Sequence, residues 1–179
     1  MVMTKKVRHA ADQSIQAQQY SFPYHYVPEN GKRLFLSRHL GFAPSYMAAL
    51  GFVAERLRHA AQDAGTDWQH VDTSCGDGAL IHYLSRMHGF SEAKMTGVDK
   101  DLRALEWARI FNPDVDFRAC DIAALDGGFT SASLVEVIEH VSPTILPELI
   151  ANAAGLLRRG GLLLVTVPSV EKTIASKHF

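Results

Sequence analysis

The chain has 179 residues, which is enough for one domain with a hydrophobic core and too few to assume two. Its 18 Lys and Arg residues balance 19 Asp and Glu residues, and this argues against non-specific electrostatic binding to nucleic acid or to an anionic membrane. The basic N-terminus lacks the apolar run of a signal peptide, and no run reaches the roughly 18 to 20 apolar residues that span a bilayer. We therefore expect a soluble cytoplasmic protein whose cysteines, Cys75 and Cys120, are reduced thiols.

An aromatic segment and a helix are predicted ahead of the first strand, so residues 1–65 are expected to form an arm and a helical cap. Residues 20–28 contain four aromatic side chains, a histidine and two prolines, and the prolines exclude a long helix. These rings could pack over one end of the sheet, and Tyr24, His25 and Tyr26 could also form a lid on the substrate side of a cofactor pocket. Residues 44–64 repeat apolar side chains at helical spacing and predict a core-facing helix; the repeat is Met47, Leu50, Ala54, Leu57 and Ala61.

The stretch 70–78, His-Val-Asp-Thr-Ser-Cys-Gly-Asp-Gly, predicts the end of a buried strand, a tight turn and the start of a helix. Gly76 and Gly78 allow positive φ and a close approach of a ligand to the main chain. Ser74 lies where a Gly-x-Gly-x-Gly pattern has its first glycine. Asp72, at the end of the strand, can accept hydrogen bonds from a cationic or amino group. The turn is therefore the predicted position of a nucleotide-like cofactor.

Helices and strands alternate after this turn. A helix over residues 79–87 is predicted to bury Leu80, Leu84 and Met87 and to point its N-terminal amides at the turn. The second strand, 95–99, ends in Asp99, the position from which a carboxylate can hold two ribose hydroxyls. Three more strands are predicted at 115–120, 132–138 and 161–168. Two more helices are also predicted. Asp101 caps the first, which ends before Asn112, and the second starts between Ser142 and Pro147 and has Gly160 as its left-handed cap.

This alternation predicts an α/β fold in which a parallel sheet is covered by helices on both faces. The acids follow the carboxyl ends of the strands, where ligands bind in such sheets. The ordered set of motifs resembles the class I S-adenosylmethionine-dependent methyltransferases over about residues 68–169. The matching pieces are Val71-Asp-Thr-Ser-Cys-Gly-Asp-Gly78, Gly97-Val-Asp99, Ala119-Cys-Asp-Ile122, Glu136-Val-Ile-Glu-His-Val141 and Leu156-Leu-Arg-Arg-Gly-Gly-Leu-Leu-Leu-Val165.

The resemblance implies a Rossmann-like, doubly wound, mostly parallel sheet that binds S-adenosylmethionine and releases S-adenosylhomocysteine. The turn with Asp72 would surround the methionine part of the cofactor, Asp99 would hold its ribose, and Asp121 with Ile122 would hold its adenine. Ser74 departs from the family's usual glycine, which implies weaker binding or a shifted turn. The complete set of expected cofactor-binding residues is Asp72, Ser74, Cys75, Gly76, Gly78, Asp99, Lys100, Cys120, Asp121, Ile122 and Glu136.

The stretch Glu136-Val-Ile-Glu-His140 is the candidate for chemistry. In small-molecule methyltransferases with a similar stretch, it lies beside the transferred methyl group, and transfer needs positioning and a base. His140 is either that base, for an oxygen or nitrogen nucleophile, or a structural histidine. The other candidate catalytic residues are Glu139, Tyr24 and His25.

Two other functions stay open. The same spacing of Glu136, Glu139 and His140 is similar to the metal ligands of small-RNA 3′-terminal 2′-O-methyltransferases, although no basic patch for RNA is evident and no metal is expected. The chain could also be a non-catalytic, cofactor-binding partner subunit. We expect a small-molecule acceptor and no membrane partner.

The resemblance implies two further strands beyond the fifth, the last one antiparallel, and residues 66–179 are therefore expected to form a methyltransferase domain without strands six and seven. An exposed sheet edge of apolar residues favours association. The expected consequence is a homodimer through this edge, or poor behaviour in solution.

Overall fold

The computed structural model describes residues 25–26 and 35–168 and, in the first helix, the side chains from residue 46 onward. Tyr24, the rest of the aromatic segment and residues 169–179 lie outside the described residues. The helices are α1 (Phe35–Ala64), α2 (Ala79–His88), α3 (Leu102–Phe111) and α4 (Leu146–Gly155). The strands are β1 (His70–Thr73), β2 (Met95–Asp99), β3 (Asp116–Ala119), β4 (Phe129–Val135) and β5 (Leu157–Thr166), and short 3-10 helices lie at Gly65–Asp67, Glu92–Lys94, Ile122–Ala124 and Ile138–His140.

The five strands form one sheet in the order β3-β2-β1-β4-β5, and every neighbouring pair is parallel. The chain first proceeds outward from β1 to β3 and then returns to the other side of β1 to begin β4. The switch point of the sheet therefore lies between β1 and β4, and a crevice beyond their carboxyl ends is the usual ligand position in such a sheet. This arrangement confirms the predicted parallel α/β fold.

Each face of the sheet has its own apolar core. One face packs on α1, α2 and α3 through residues that include Leu57, Leu84, Leu105 and Phe117. The other face packs on α4 and on the short helix Ile122–Ala124. The alternation of side chains along a strand explains the division, because Val71 and Val98 point to the second core while Met95 points to the first. The described helices include none that is both long enough and apolar enough to cross a membrane.

Several element boundaries and core positions differ from the sequence predictions. Helix α1 begins at Phe35, so Pro44 lies inside the helix and not at its start. The start was predicted at residue 44 because a proline in a helix interior costs about 3 kcal/mol of stability, but this helix continues through the proline. Met47 and Met87 are not core residues, because they are 46% and 70% exposed. Helical spacing alone cannot show how far the covering elements reach.

The region around β5 also corrects a prediction. Helix α4 ends at Gly155 with Leu156 as its C-cap, so Gly160 does not cap it. Gly160 instead has a φ of +80° inside β5, where the register against β4 shifts. A bulge needs a residue of this conformation in the same way that a helix end does. The left-handed conformation of Gly160 was therefore predicted correctly, but it belongs to the bulge in β5 and not to the end of α4.

Candidate functional site

The turn after β1 has a left-handed backbone at every second residue. The φ angles are +64° at Ser74, +54° at Gly76 and +80° at Gly78. A Cβ atom at Gly78 would come within 2.9 Å of the Asn112 Nδ2 atom and 3.1 Å of the Ala108 Cβ atom, so only glycine fits against α3 there. Ser74 takes a conformation that costs a residue with a Cβ atom about 1 to 2 kcal/mol. The turn thus keeps the backbone shape of a glycine-rich loop with a serine at its first position.

Asp99 connects the end of β2 to this turn. Its Oδ2 atom accepts a hydrogen bond from the Gly76 amide at 2.9 Å, and its Oδ1 atom accepts one from the Asp101 amide at 2.9 Å. Burial raises the pKa of Asp99, and the amide hydrogen bonds oppose that rise. The amides of Asp101, Gly76 and Lys100 all act on this carboxylate, and its two oxygens have four lone pairs in total, so Asp99 retains acceptor capacity for a ligand hydroxyl.

Asp72 lies at the centre of a buried polar group that spans the switch point. The Ser133 hydroxyl on β4 donates to the Asp72 Oδ1 atom at 2.7 Å. Only 3% of Asp72 is exposed, and burial raises the pKa of its carboxyl group to about 7, with Asp99 adding to the rise and the Ser133 hydrogen bond opposing it. Asp72 therefore changes its charge near neutral pH.

The predicted adenine-binding residues lie at the ends of β2 and β3. Lys100 and Asp121 form an exposed ion pair, which lowers the pKa of Asp121 together with the hydrogen bond from the Ala123 amide. Ile122 is buried in the second core, and Cys120 packs against that core. Burial raises the pKa of Cys75 well above its usual range, so this thiol is protonated and forms part of the wall of the turn.

The candidate catalytic stretch begins at a strained residue. Glu136 has a φ of +54°, and this conformation ends β4 at Val135, three residues before the predicted end at 138. The Thr166 hydroxyl donates to the Glu136 Oε1 atom at 3.0 Å. Burial raises the pKa values of Glu136 and Glu139, and the Glu139 Oε1 and His140 Nε2 atoms lie 3.8 Å apart near the surface. Across the described residues, no group of three or more His, Cys, Asp or Glu side chains could hold a metal ion, so the structure does not gather Glu136, Glu139 and His140 as ligands.

His25 and Tyr26 contact the glycine-rich turn from the N-terminal segment. The His25 Nδ1 atom lies 2.7 Å from the Asp77 Oδ1 atom, and the Tyr26 hydroxyl donates to the Asp77 carbonyl at 3.0 Å. The Tyr26 ring stacks on Phe111 at 3.9 Å between centroids. Burial raises the pKa of Tyr26, so its hydroxyl keeps the proton that it donates. The structure therefore places His25 and Tyr26 beside the glycine-rich turn.

Sequence reasoning missed two residues that this contact uses. Asp77 is fully buried, and in the described part of the chain its Oδ2 atom has no hydrogen-bond partner. Asn112 is also fully buried; its Nδ2 atom donates to the Tyr26 hydroxyl at 3.2 Å, and its Oδ1 atom lies 3.2 Å from the His82 Nδ1 atom. The sequence shows the acid Asp77 inside the glycine-rich turn, but its pairing with His25 was not predictable because the two residues are 52 positions apart.

The sequence profile of a methyltransferase domain family matches residues 45–177. The chain belongs to this methyltransferase family. A protein of Invertebrate iridescent virus 6, 235L, whose name describes it as a methyltransferase, is 33% identical over 52 residues. That match covers 29% of this chain and 19% of the viral protein.

Solved methyltransferase structures share the fold. Magnesium protoporphyrin IX methyltransferase from Synechocystis PCC 6803 with bound S-adenosylhomocysteine has a TM-score of 0.60 and 17% identity, and the match covers 93% of this chain and 77% of that one. CalS10, an amino pentose methyltransferase from Micromonospora echinaspora solved with S-adenosylmethionine, has a TM-score of 0.60 and 21% identity, with coverages of 79% and 58%. These likenesses confirm the class I methyltransferase fold. The chain spans about a fifth of the length of the viral relative and between 58% and 77% of these two structures.

Proposed function

We propose that the protein binds S-adenosylmethionine at the carboxyl edge of its sheet and transfers the methyl group to an oxygen or nitrogen atom of a small-molecule acceptor. The observation that carries the proposal is the convergence of Asp72, Asp99 and the left-handed turn on the switch point between β1 and β4. A parallel sheet binds its ligand at this point, and the two similar structures were solved with this cofactor or with its demethylated product.

The chemistry of the donors and acceptors fits the cofactor. Asp72 is an acceptor for the amino group of the methionine moiety, and Asp99 retains acceptor capacity for a ribose hydroxyl. Asp121 and Ile122 at the end of β3 supply one polar and one apolar contact for an adenine ring. S-adenosylmethionine itself supplies the electrophilic methyl group on a sulfonium centre, so the protein has to position the acceptor and remove its proton.

His140 is the proposed base for that proton. It follows β4 at the same edge as Asp72, its side chain is 46% exposed, and Glu139 lies 3.8 Å away and can stabilise the imidazolium that forms. His25 also lies at this edge, but Asp77 already occupies its Nδ1 atom. Glu136, whose backbone is held by Thr166, is proposed to fix the start of this loop beside the cofactor.

A small-molecule acceptor is favoured over nucleic acid. The balanced charge provides no electrostatic footprint for a phosphate backbone. The structural neighbours act on a porphyrin and on amino sugars by their names. We propose that His25 and Tyr26, which belong to the arm and cap predicted for residues 1–65, line one side of the acceptor site, because they contact the glycine-rich turn.

Calorimetric titration tests the cofactor first. Wild-type protein is titrated with S-adenosylmethionine and with S-adenosylhomocysteine, and micromolar binding of both is expected. Methyl transfer is then followed with radiolabelled cofactor against panels of phenols, amino sugars and carboxylic acids, with and without a chelator. Absence of cofactor binding by folded protein refutes the proposal. Loss of transfer on chelation supports a metal-dependent enzyme instead, and binding without transfer to any acceptor supports a non-catalytic subunit.

The proposal extends to the oligomeric state and to the cellular compartment. β5 is an edge strand in the described sheet, with Val165 at its exposed end, and we propose that it pairs with a second copy to form a homodimer. Sedimentation of wild-type protein beside a variant with Val165→Lys tests the dimer, because a charge on the edge should leave a monomer; an unchanged mass would contradict it.

Both cysteines are free thiols, which favours a reducing compartment such as the cytoplasm.

A further inference from the structure

We propose that Ser131, His70 and Ser133 form a buried hydrogen-bonded relay that positions the Asp72 carboxylate for the amino group of the cofactor's methionine moiety. The inference rests on the proposed function, because it takes S-adenosylmethionine as the ligand. It assigns positioning roles to three residues that do not themselves contact the cofactor.

The geometry of the relay is continuous. The Ser131 Oγ atom lies 3.1 Å from His70 Nδ1, His70 Nε2 lies 3.1 Å from the Ser133 Oγ atom, and Ser133 donates to Asp72 at 2.7 Å. His70 pairs with Ser131, and Asp72 with Ser133, in the parallel register of β1 and β4. Residues two apart in a strand share a face, so all four side chains lie on one face at the switch point. All four are buried.

The hydrogen bonds can be assigned by counting protons. Ser133 has one hydroxyl proton and donates it to Asp72, so its oxygen accepts the next bond from His70 Nε2–H. We assign to His70 the tautomer with its proton on Nε2, so that Nδ1 accepts the proton of the Ser131 hydroxyl. Burial lowers the pKa of His70 to about 3, so the imidazole is neutral and has one N–H, as this assignment requires. Each bond points toward Asp72 and therefore favours its ionised form over the acid.

The surroundings of Asp72 explain why such a relay matters. The helices on this face present apolar side chains, and β4 contributes hydroxyl groups. Among the described residues, the titratable groups nearby are His70 on the same strand, Asp99 on β2, and Cys75 and Asp77 in the turn. None of these carries a positive charge when the imidazole is neutral. The donated hydroxyl proton of Ser133 is thus what opposes neutralisation of Asp72, and a neutral carboxyl group binds an ammonium group weakly.

Calorimetric titration of S-adenosylmethionine between pH 5.5 and 8.5 tests the relay in wild type and in Ser133→Ala. We expect the ratio of the variant Kd to the wild-type Kd to be about tenfold or more at the acid end, since a shift of one pKa unit corresponds to a factor of ten. The ratio should fall as the pH rises, because Asp72 becomes ionised in both proteins. The amino group of the ligand titrates equally with both proteins and cancels in the ratio, and His70 remains neutral throughout the range.

Three further variants make the result specific. Ser133→Thr retains a hydroxyl and should restore the wild-type profile. Ser131→Ala removes the far end of the relay and should shift the profile in the same direction by less; it replaces Ser133→Ala if that variant does not fold. Thr73→Val is the matched control, because it deletes a buried hydroxyl of β1 that donates to the Ser133 carbonyl on the opposite face, at 2.6 Å. It should reduce stability and leave the Kd ratio independent of pH.

The outcomes separate the relay from the function on which it rests. A Kd ratio that does not vary with pH in Ser133→Ala, or an unchanged Kd, overturns the relay while cofactor binding by the wild type stands. No binding of the cofactor by folded wild-type protein at any pH overturns the proposed function, and the relay's role with it. A ratio that declines with pH and is restored by Ser133→Thr supports the relay.

Discussion

Replacing Ser74 with glycine should stabilise the protein, although glycine usually weakens a fold. Ser74 has a φ of +64°, a conformation that costs a residue with a Cβ atom about 1 to 2 kcal/mol. Glycine adopts it freely but adds about 0.5 to 1 kcal/mol of backbone entropy to the unfolded chain. The difference predicts a gain of up to about 1.5 kcal/mol in the free energy of unfolding, and about 0.75 kcal/mol at the middle of the two ranges. The side chain of Ser74 is exposed, so few contacts are lost with it.

Urea denaturation of wild type and variant measures this gain, and Ser91→Gly is the matched control. Ser91 has a φ of −71°, which glycine does not favour over serine, so the control should lose about 0.5 to 1 kcal/mol. If both variants lose the same amount, the argument from backbone strain is wrong. We also expect Ser74→Gly to bind S-adenosylmethionine at least as tightly as wild type, because the hydroxymethyl group no longer stands where a ligand approaches the turn.

Three other substitutions test the site. Asp99→Ala should weaken S-adenosylmethionine binding by at least about a hundredfold in calorimetry, because the ribose loses its acceptor and the turn loses the bond to the Gly76 amide; unchanged binding would count against the placement of the ribose. His25→Ala should lower the free energy of unfolding by about 1 to 3 kcal/mol, since it leaves the buried Asp77 carboxylate without its partner, and an unaltered urea midpoint would show that the contact is not formed in solution. Asp72→Asn should be more stable than wild type above pH 7, and this advantage should shrink at pH 5 and vanish below the ordinary pKa of 3.8. The folded-state pKa of Asp72 is raised to about 7, so between these two values the folded protein binds more protons than the unfolded chain, and wild-type stability falls as the pH rises. Equal pH dependence of the urea midpoints in both proteins would contradict the raised pKa.

Local signals predicted most of the sheet and its helices. Strand β2 matches the predicted residues 95–99, and α3 has the predicted Asp101 cap, whose side chain accepts hydrogen bonds from the amides of Arg103 and Ala104. Both depend on residues within a few positions of one another, which is the range over which caps and apolar patterns act. The predicted family is confirmed for the same reason, since its motifs are local stretches in a fixed order.

Contacts between distant residues were not predictable in this way. The pairing of His25 with Asp77 and the relay between β1 and β4 join residues that are 52 and 61 to 63 positions apart in sequence. One sign of the relay was present: Ser131 and Ser133 alternate with Ala132 and Leu134 in a strand that is buried on both faces. A central strand of a parallel sheet is usually an apolar run, so alternating hydroxyls in it indicate a buried polar partner on the neighbouring strand.

The exceptions to ordinary folding rules concentrate at one place. Among the described residues, Ser74 and Glu136 are the non-glycine residues with positive φ, and they directly follow β1 and β4. The relay and the buried Asp72 carboxyl group lie between the same two strands. Strained backbone and buried ionisable groups each reduce stability, and both persist where function requires a fixed geometry. A polar groove lies at the opposite edge of the sheet and is lined by residues that include Lys94, Asp116 and Arg118. Its lining contains neither a non-glycine residue with positive φ nor a member of the relay. The carboxyl ends of β1 and β4 are therefore the position where a ligand explains the largest number of otherwise unfavourable features.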